Sequence, residues 1–523
     1  MTAHPRDRRR VSLLLEGTYP YVAGGVSTWV HQIIEAMPDV DFDLHFIGDK
    51  KENNTRRKYE VPANVASITE SYLFDPLPES ELRPGRGTRK EKRAFLACLR
   101  RFVSAPGPEG RFDALYEAVR LLRTSPGCFT LADLNGNEAA WELLIGIYRE
   151  RFGEISFLRF QATIRDLLTL FWRLLLAVET IPRADVYHCI CTGYAGLLGS
   201  LAARLHKAPL VLSEHGVYLK ERIEDIRKSS WLSDGGQYHP PIPFQGELGA
   251  FRSLWIDTFD FLGCITYRQA ASITALYRGN ARLQVEFGAD PSKVVIIPNG
   301  IDTARFESIA RRRLGDGPHG GPVTIGFLGR VVPIKDVKTL LRAARLVLNR
   351  FAGTRFLIAG PFDEDPAYHE ECLSLARQLG IEGSVEFPGR MNPDEFLQVS
   401  DIVVLTSISE GLPFAILEAS AAGLPVVATK VGACAEMMGY GAGNAPDLGP
   451  SGLVTEVGSP AGTAEALVKL AANPQLRQAL GANGLQRVRS LYRQEDIISQ
   501  YRYLYLHTRA PAAAGSGVPA GAS

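Results

Sequence analysis

Short apolar runs alternate along this chain with longer stretches in which apolar residues recur every three or four positions, the mark of strands interleaved with amphipathic helices. The run Val11 to Leu15 predicts a strand, Glu16 to Gly25 a loop, and Ser27 to Met37 a helix capped by Ser27 or Thr28. A second strand is predicted over Phe42 to Ile47. From about Pro78 to Ile181 the pattern turns wholly helical, rich in Arg, Leu and Glu, which predicts a helical insertion. The strand and helix rhythm then resumes with Asp185 to Ile190, Gly196 to His206 and Pro209 to Ser213. An irregular piece, Glu221 to Gln245, precedes a helix around Phe251 to Leu262, a strand Ser272 to Ala275, a helix Arg278 to Phe287 and a strand Val294 to Ile297.

The charged, Gly-rich stretch Arg311 to Gly321 reads as a linker. Beyond it strands are predicted at Val323 to Leu328, Arg355 to Ala359, Val385 to Pro388, Asp401 to Leu405 and Pro425 to Ala428, with helices between and after them. Residues 1–312 thus form one α/β domain, carrying the insertion at about 78–181, and 322–490 a second. A terminal helix over 491–508 is expected to pack back on the first domain. The small-residue tail 510–523 is expected to be disordered. The fold class is α/β, with two doubly wound Rossmann-like domains, and such sheets bind ligands at the C-terminal ends of their strands. Two of them in one chain predict a cleft between those edges.

Composition narrows the function classes. The chain has 523 residues, 46% of them hydrophobic, with Lys plus Arg at 58 against 57 for Asp plus Glu. A net charge of +1 offers no whole-chain attraction for nucleic acid. The Arg6, Arg8, Arg9 and Arg10 cluster is local, at most a weak lure for an anionic membrane surface. Seven scattered cysteines spell neither a disulfide framework nor a zinc site. The stretch Val11 to Leu15 is too short for a secretory signal, and Leu167 to Val178, broken by Arg173, falls short of the roughly 20 residues a spanning helix needs. The expected location is cytoplasmic, with any recruitment to the inner face of the membrane left to partners.

The strand ends carry the candidate chemistry. Glu410 and Glu418 stand eight positions apart after a predicted strand. Pro413 at the first helical position would put Glu410 in the preceding loop and Glu418 on the second helical turn. A helix start offers N–H groups to an anion, while carboxylates accept hydrogen bonds from hydroxyls, a combination suited to a sugar nucleotide. Taken alone, two such glutamates also suit a helix that merely complements its own dipole. Arg330 ends the first strand of the second domain and Lys335 follows before a helix, so the two can hold a diphosphate. Gly24 and Gly25 before the first helix let backbone approach a phosphate, without the dinucleotide fingerprint. His215, beside Glu214, ends a strand of the first domain; His188 and Thr192 are lesser candidates for the same wall. Asp41-Phe42-Asp43 has the D-x-D form of a metal site but opens a strand, where charged flanks are ordinary. Asp363-Glu364-Asp365 reads as a solvated acid cluster, and Asn299-Gly300-Ile301-Asp302 as shaping the entry to the linker. No P-loop, H-E-x-x-H or G-x-S-x-G motif occurs.

Together Gly24-Gly25-Val26, Ser213-Glu214-His215-Gly216, Pro298 to Asp302, Gly329-Arg330 with Lys335, and Glu410 to Glu418 followed by Gly423 to Ala428 resemble the retaining glycosyltransferases of family 4. The resemblance covers most of the chain. Leu13 to Val22 and Ser213 to Arg222 are similar, more narrowly, to the cytosolic glycosyltransferase of bacterial Pel exopolysaccharide assembly. The resemblance implies a GT-B fold, a nucleotide-sugar donor that is UDP-linked by family expectation, a glycan acceptor, and an inner-membrane polysaccharide synthesis complex as partner. It implies His215, Glu410, Arg330 and Lys335 as catalytic, and Gly24, Gly25, Arg330, Lys335, Leu412 and Glu418 as nucleotide-binding. No metal or other cofactor is expected, since the cations would stabilise the leaving diphosphate. A non-hydrolysing sugar-nucleotide epimerase and a degenerate nucleotide-sugar-binding scaffold remain the rival readings.

Overall fold

The computed structural model describes residues 8–228, 249–315, 322–441 and 448–510. The expected tail from 511 onward, Arg6, the linker from 316 to 321 and most of the irregular piece after Lys228 lie outside the described residues. The chain divides into two compact units: residues 1–275, 282–295 and 501–523, and residues 276–281 and 296–500.

The first unit is built on a seven-stranded sheet in the order β3-β2-β1-β4-β5-β6-β7. The strands are β1 (Arg9–Glu16), β2 (Val40–Gly48), β3 (Val65–Tyr72), β4 (Val186–Cys189), β5 (Leu210–Glu214), β6 (Ala270–Ala275) and β7 (Val294–Ile296). The pairings from β3 through β6 are parallel. Central strands are apolar because helices cover both their faces, and β1 is continuously buried from Val11 to Leu15. Strand β3 carries no such run: its sequence VASITESY is half exposed, as an edge strand can be, and hydrophobic pattern alone does not reveal it.

Between β3 and β4 the chain is helical, with α-helices Arg89–Ser104, Pro108–Thr124, Leu131–Gly136, Glu138–Arg151 and Phe157–Ala177. These helices share one apolar core with the sheet. Phe95 stacks on Phe129 at 4.4 Å between ring centroids, Trp172 meets Phe95 edge-on, and the same cluster includes Leu14, Leu197 and Leu212. Polar ties complete the packing: Lys92 to Asp133 at 2.6 Å, and the Trp172 indole N–H donating to Glu81 at 2.8 Å.

The second unit holds a six-stranded sheet, ordered β10-β9-β8-β11-β12-β13. Its strands are β8 (Thr324–Leu328), β9 (Arg355–Ala359), β10 (Val385–Gly389), β11 (Ile402–Leu405), β12 (Val426–Thr429) and β13 (Gly452–Thr455), paired in parallel. Side chains alternate across it. Phe356, Ile358, Ile402 and Val404 enter one core with helices Val337–Leu348 and Pro460–Ala472, while Leu357, Ala359, Val403 and Leu405 enter another with helix Phe414–Ala421. Strand β13 is too short and mixed to stand out in the sequence; its pairing with β12 makes it.

Several local expectations change. The first helix begins at Gly25 with Gly24 as its cap and no capping side chain, so neither Ser27 nor Thr28 caps it. Pro413 is the cap of helix Phe414–Ala421, in extended backbone, rather than its first helical residue. The irregular piece opens as a helix, Tyr218–Lys228, and residues 311–315 still belong to helix Glu307–Gly315. The last helix runs Gln494–His507, and from Tyr501 onward it belongs to the first unit. There Tyr501 and Tyr505 are wholly buried, the Tyr505 hydroxyl 2.8 Å from His188 Nδ1. No helix among the described residues is long and apolar enough to cross a membrane.

Candidate active site

In the second unit the site grows from the ends of β8 and β11. Arg330 leaves the end of β8, and its Nη1 donates to both oxygens of Glu364, at 2.7 and 2.6 Å. The acid cluster is therefore engaged rather than merely solvated: Glu364 holds Arg330, Asp363 meets Arg390 at 3.3 Å, and Asp365 caps helix Pro366–Gln378. About half of both Arg330 and Glu364 is exposed, so their pair contributes little and yields readily to a doubly charged anion.

Lys335 ends a single turn, Pro333–Lys335, after which Asp336 turns left-handed (φ 45°) and caps helix Val337–Leu348. Thr406, just past β11, donates to the carbonyls of Lys335 and Asp336 at 3.1 and 3.0 Å, and the Ile408 N–H donates to Ile334 O at 2.8 Å. These bonds sew the two strand-end loops together. The result is an ion pair between Lys335 Nζ and Glu410 Oε1 at 2.5 Å, with Ser407 Oγ donating to the same oxygen at 2.6 Å. Both partners are largely withdrawn from water, which makes the pair rigid and costly to break from one side. Gly432 allows the Glu410 loop to close: its φ is +51°, and a Cβ there would lie 2.0 Å from the Glu410 carbonyl oxygen.

Glu418 projects from helix Phe414–Ala421, which Gly423 terminates in a left-handed turn (φ +71°). Its carboxyl is pushed up to about 7, chiefly by burial; Arg305 opposes the shift and Asp394 adds to it. Arg305 is itself held by Asp394 at 2.9 Å. No hydrogen bond to the Glu418 carboxyl comes from any described residue, so it has acceptor capacity left over. Leu412 is buried in the core, so only its backbone can meet a ligand; its carbonyl lies 3.5 Å from the Asn299 amide nitrogen. Asn299 thereby braces the loop before the helix, a role the sequence reading did not assign.

In the first unit Gly24 and Gly25 are exposed at a helix start with no capping side chain, and a Cβ on Gly24 would meet nothing within 4 Å. First-turn N–H groups there lack intrahelical partners by geometry. His215 packs edge-on against Trp29, 4.5 Å between ring centroids, and burial pulls it down to about 4. At neutral pH it is an uncharged imidazole. Glu214 does not face a ligand beside it: only 1% exposed, it accepts from Tyr267 Oη at 2.7 Å, Thr192 Oγ1 and Gln284 Nε2 at 3.1 Å, and Tyr218 N at 3.3 Å. His188 and Thr192 are likewise core groups, His188 bridging Tyr505 and Ser213 at 2.8 Å each. Neither lines an open wall, because hydrogen bonds inside the sheet edge consume them. Asp43 of the D-x-D stretch is fully buried and ion-paired with Arg10, with Ser67 as a further donor.

The sequence reading also overlooked Ser407 and Arg305. Ser407 sits within the Glu410 loop, and the small polar run Thr406-Ser407 at a strand end was its one signal. Arg305, held by Asp394, comes close enough to act electrostatically on Glu418 only through tertiary folding.

Residues 9–292 match the family described as "Domain of unknown function (DUF3492)", and residues 315–487 match "Glycosyl transferases group 1". The chain is 33% identical over 307 residues to a D-inositol 3-phosphate glycosyltransferase of Actinosynnema mirum, covering 56% of this chain and 66% of that one. A namesake from a Nocardioides species is 26% identical, covering 67% and 74%. Among solved structures, HepE of Anabaena in complex with UDP and glucose aligns with a TM-score of 0.55 at 15% identity, over 95% of this chain and 99% of that chain. The sucrose-phosphate synthase of Thermosynechococcus elongatus aligns with a TM-score of 0.57 at 16% identity, over 95% and 98%. Their likeness and the two parallel sheets establish the GT-B fold. The chain belongs to the DUF3492 family, and its C-terminal half carries a group 1 glycosyltransferase domain.

Proposed function

We propose that this protein transfers a sugar, with retention of anomeric configuration, from a UDP-sugar to a growing glycan of the Pel exopolysaccharide type. The observation that carries the reading is the Lys335–Glu410–Ser407 cluster together with Glu418, a partly buried carboxyl that accepts no hydrogen bond from a described residue. Glu418 accepts from the ribose hydroxyls, and Glu410, fixed by Lys335, orients the donor sugar. Arg330 and Lys335 balance the charge on the diphosphate as the C1–O bond to the β-phosphate breaks. The acceptor oxygen forms its bond to C1 on the same face and passes its proton to the departing phosphate oxygen. The cations do this without a metal, by stabilisation organised in advance. HepE, which shares the fold, was solved with UDP and glucose, in line with a uridine donor. The similarity of Leu13 to Val22 and Ser213 to Arg222 supports the Pel acceptor and a cytoplasmic protein recruited by a membrane synthesis complex.

The test is a screen of nucleotide sugars for binding, then for nucleotide release with and without glycan acceptor, in EDTA throughout. Release of UDP with formation of a new glycoside is the expected result. An isomerised nucleotide sugar would mean epimerisation, binding without turnover a scaffold, and activity restored only by magnesium a metal-dependent reaction.

A further inference from the structure

Helix Arg89–Ser104 of the insertion presents a one-sided row of cations. At 100° per residue, Arg89, Arg100, Arg93, Lys90 and Arg101 fall within an arc of about 120°. All five are exposed, and only Ala97 and Ser104, both small, share the arc. Other charges on the helix point elsewhere. Glu91 is spent on the N-terminal cap and on Ser125 Oγ at 2.7 Å, and Lys92 is paired with Asp133. The opposite side buries Phe95, Leu96 and Cys98 in the core, which fixes the helix and keeps the row outward. None of the five cations makes an ion pair or side-chain hydrogen bond with a described residue, although unpaired cations packed this closely repel one another.

We propose that this row docks the protein on a membrane surface rich in anionic lipid phosphates. Charge complementarity selects the occupant. A row on the convex side of one helix fits a flat sheet of headgroups, and small side chains between the cations let phosphates approach. With no apolar side chain larger than that of Ala97 in the arc, the attraction is coulombic, without insertion. Nucleic acid fits less well: no aromatic residue lies in the arc to stack a base. The docking concerns the insertion alone and holds whatever the donor sugar is.

Flotation of the full chain with vesicles tests this. Phosphatidylcholine vesicles containing phosphatidylglycerol are expected to carry the protein and pure phosphatidylcholine vesicles to leave it behind, with release as salt is raised. R93Q/R100Q/R101Q is expected to lower the partition about a hundredfold, each cation near such a surface giving up several-fold. R342Q/R345Q/R350Q, on an exposed face of helix Val337–Leu348 and its end, is expected to leave it unchanged. Undiminished binding of the first variant would overturn the proposal, as would binding of the unaltered chain that salt does not weaken. Preference for duplex RNA over anionic vesicles at equal phosphate would reassign the row to nucleic acid.

Discussion

Two carboxyls, Glu214 fully buried and Glu418 partly so, each at a strand-end region of its own unit, mark the difference between a structural acid and a ligand-ready one. Burial raises both Glu214 and Glu418. Glu214 receives four donors from its own unit, which satisfy it and tie β5 to helix Ala250–Gln269 and to Gln284. Glu418 receives none from a described residue, and its lone pairs are open to a hydroxyl. A displaced titration thus says little about function until the donors around the group are counted.

The largest expected effect tests the structural half of that contrast. Glu214→Ala strands several buried donors and is expected to destabilise the fold by about 4 kcal/mol, read by denaturant unfolding. A melt like that of the unaltered chain would undo the assignment. Arg330→Ala, by contrast, is expected to leave unfolding within about 1 kcal/mol, since its pair with Glu364 is exposed, yet to lower kcat/KM about a hundredfold. Near-normal turnover would remove Arg330 from the chemistry.

A smaller effect separates the two glutamates of the site. Glu418→Ala is expected to weaken nucleotide binding about tenfold, by calorimetry, while Glu410→Ala slows transfer about thirtyfold with binding nearly kept. Equal loss of affinity in both would erase the division of labour. The smallest effect is a pH dependence. Hydroxyl donors favour the ionised Glu418, so nucleotide affinity should fall a few-fold as pH drops below about 7, by no more than the Glu418→Ala loss in all, and Glu418→Gln should flatten the profile. Stability runs the other way. The folded carboxyl binds its proton more tightly than the unfolded one, so Glu418 favours the fold at low pH and loses that contribution as pH rises toward 7.

Much of the architecture was legible in the chain. Buried strands such as β1, β9 and β11 announce themselves because both faces are covered and their buried stretches, Val11 to Leu15, Phe356 to Ala359 and Ile402 to Leu405, hold only apolar or small residues. Strands β3 and β13 do not, since their sequences are mixed and pairing partners create them. The helix from Gly25 starts two residues before Ser27 because Gly24 caps it through the backbone, without a capping side chain to mark its start in the sequence.

The order of motifs along the sequence determined that Glu410, Glu418, Arg330 and Lys335 follow strand ends of one parallel sheet, because parallel strands bring all their C-terminal ends to one edge. Only the tertiary structure decided what each group does there. Ion pairs and burial depend on residues distant in the chain, so folding alone could give Lys335 to Glu410, Arg330 to Glu364, saturate Glu214 with donors and leave Glu418 without one among the described residues.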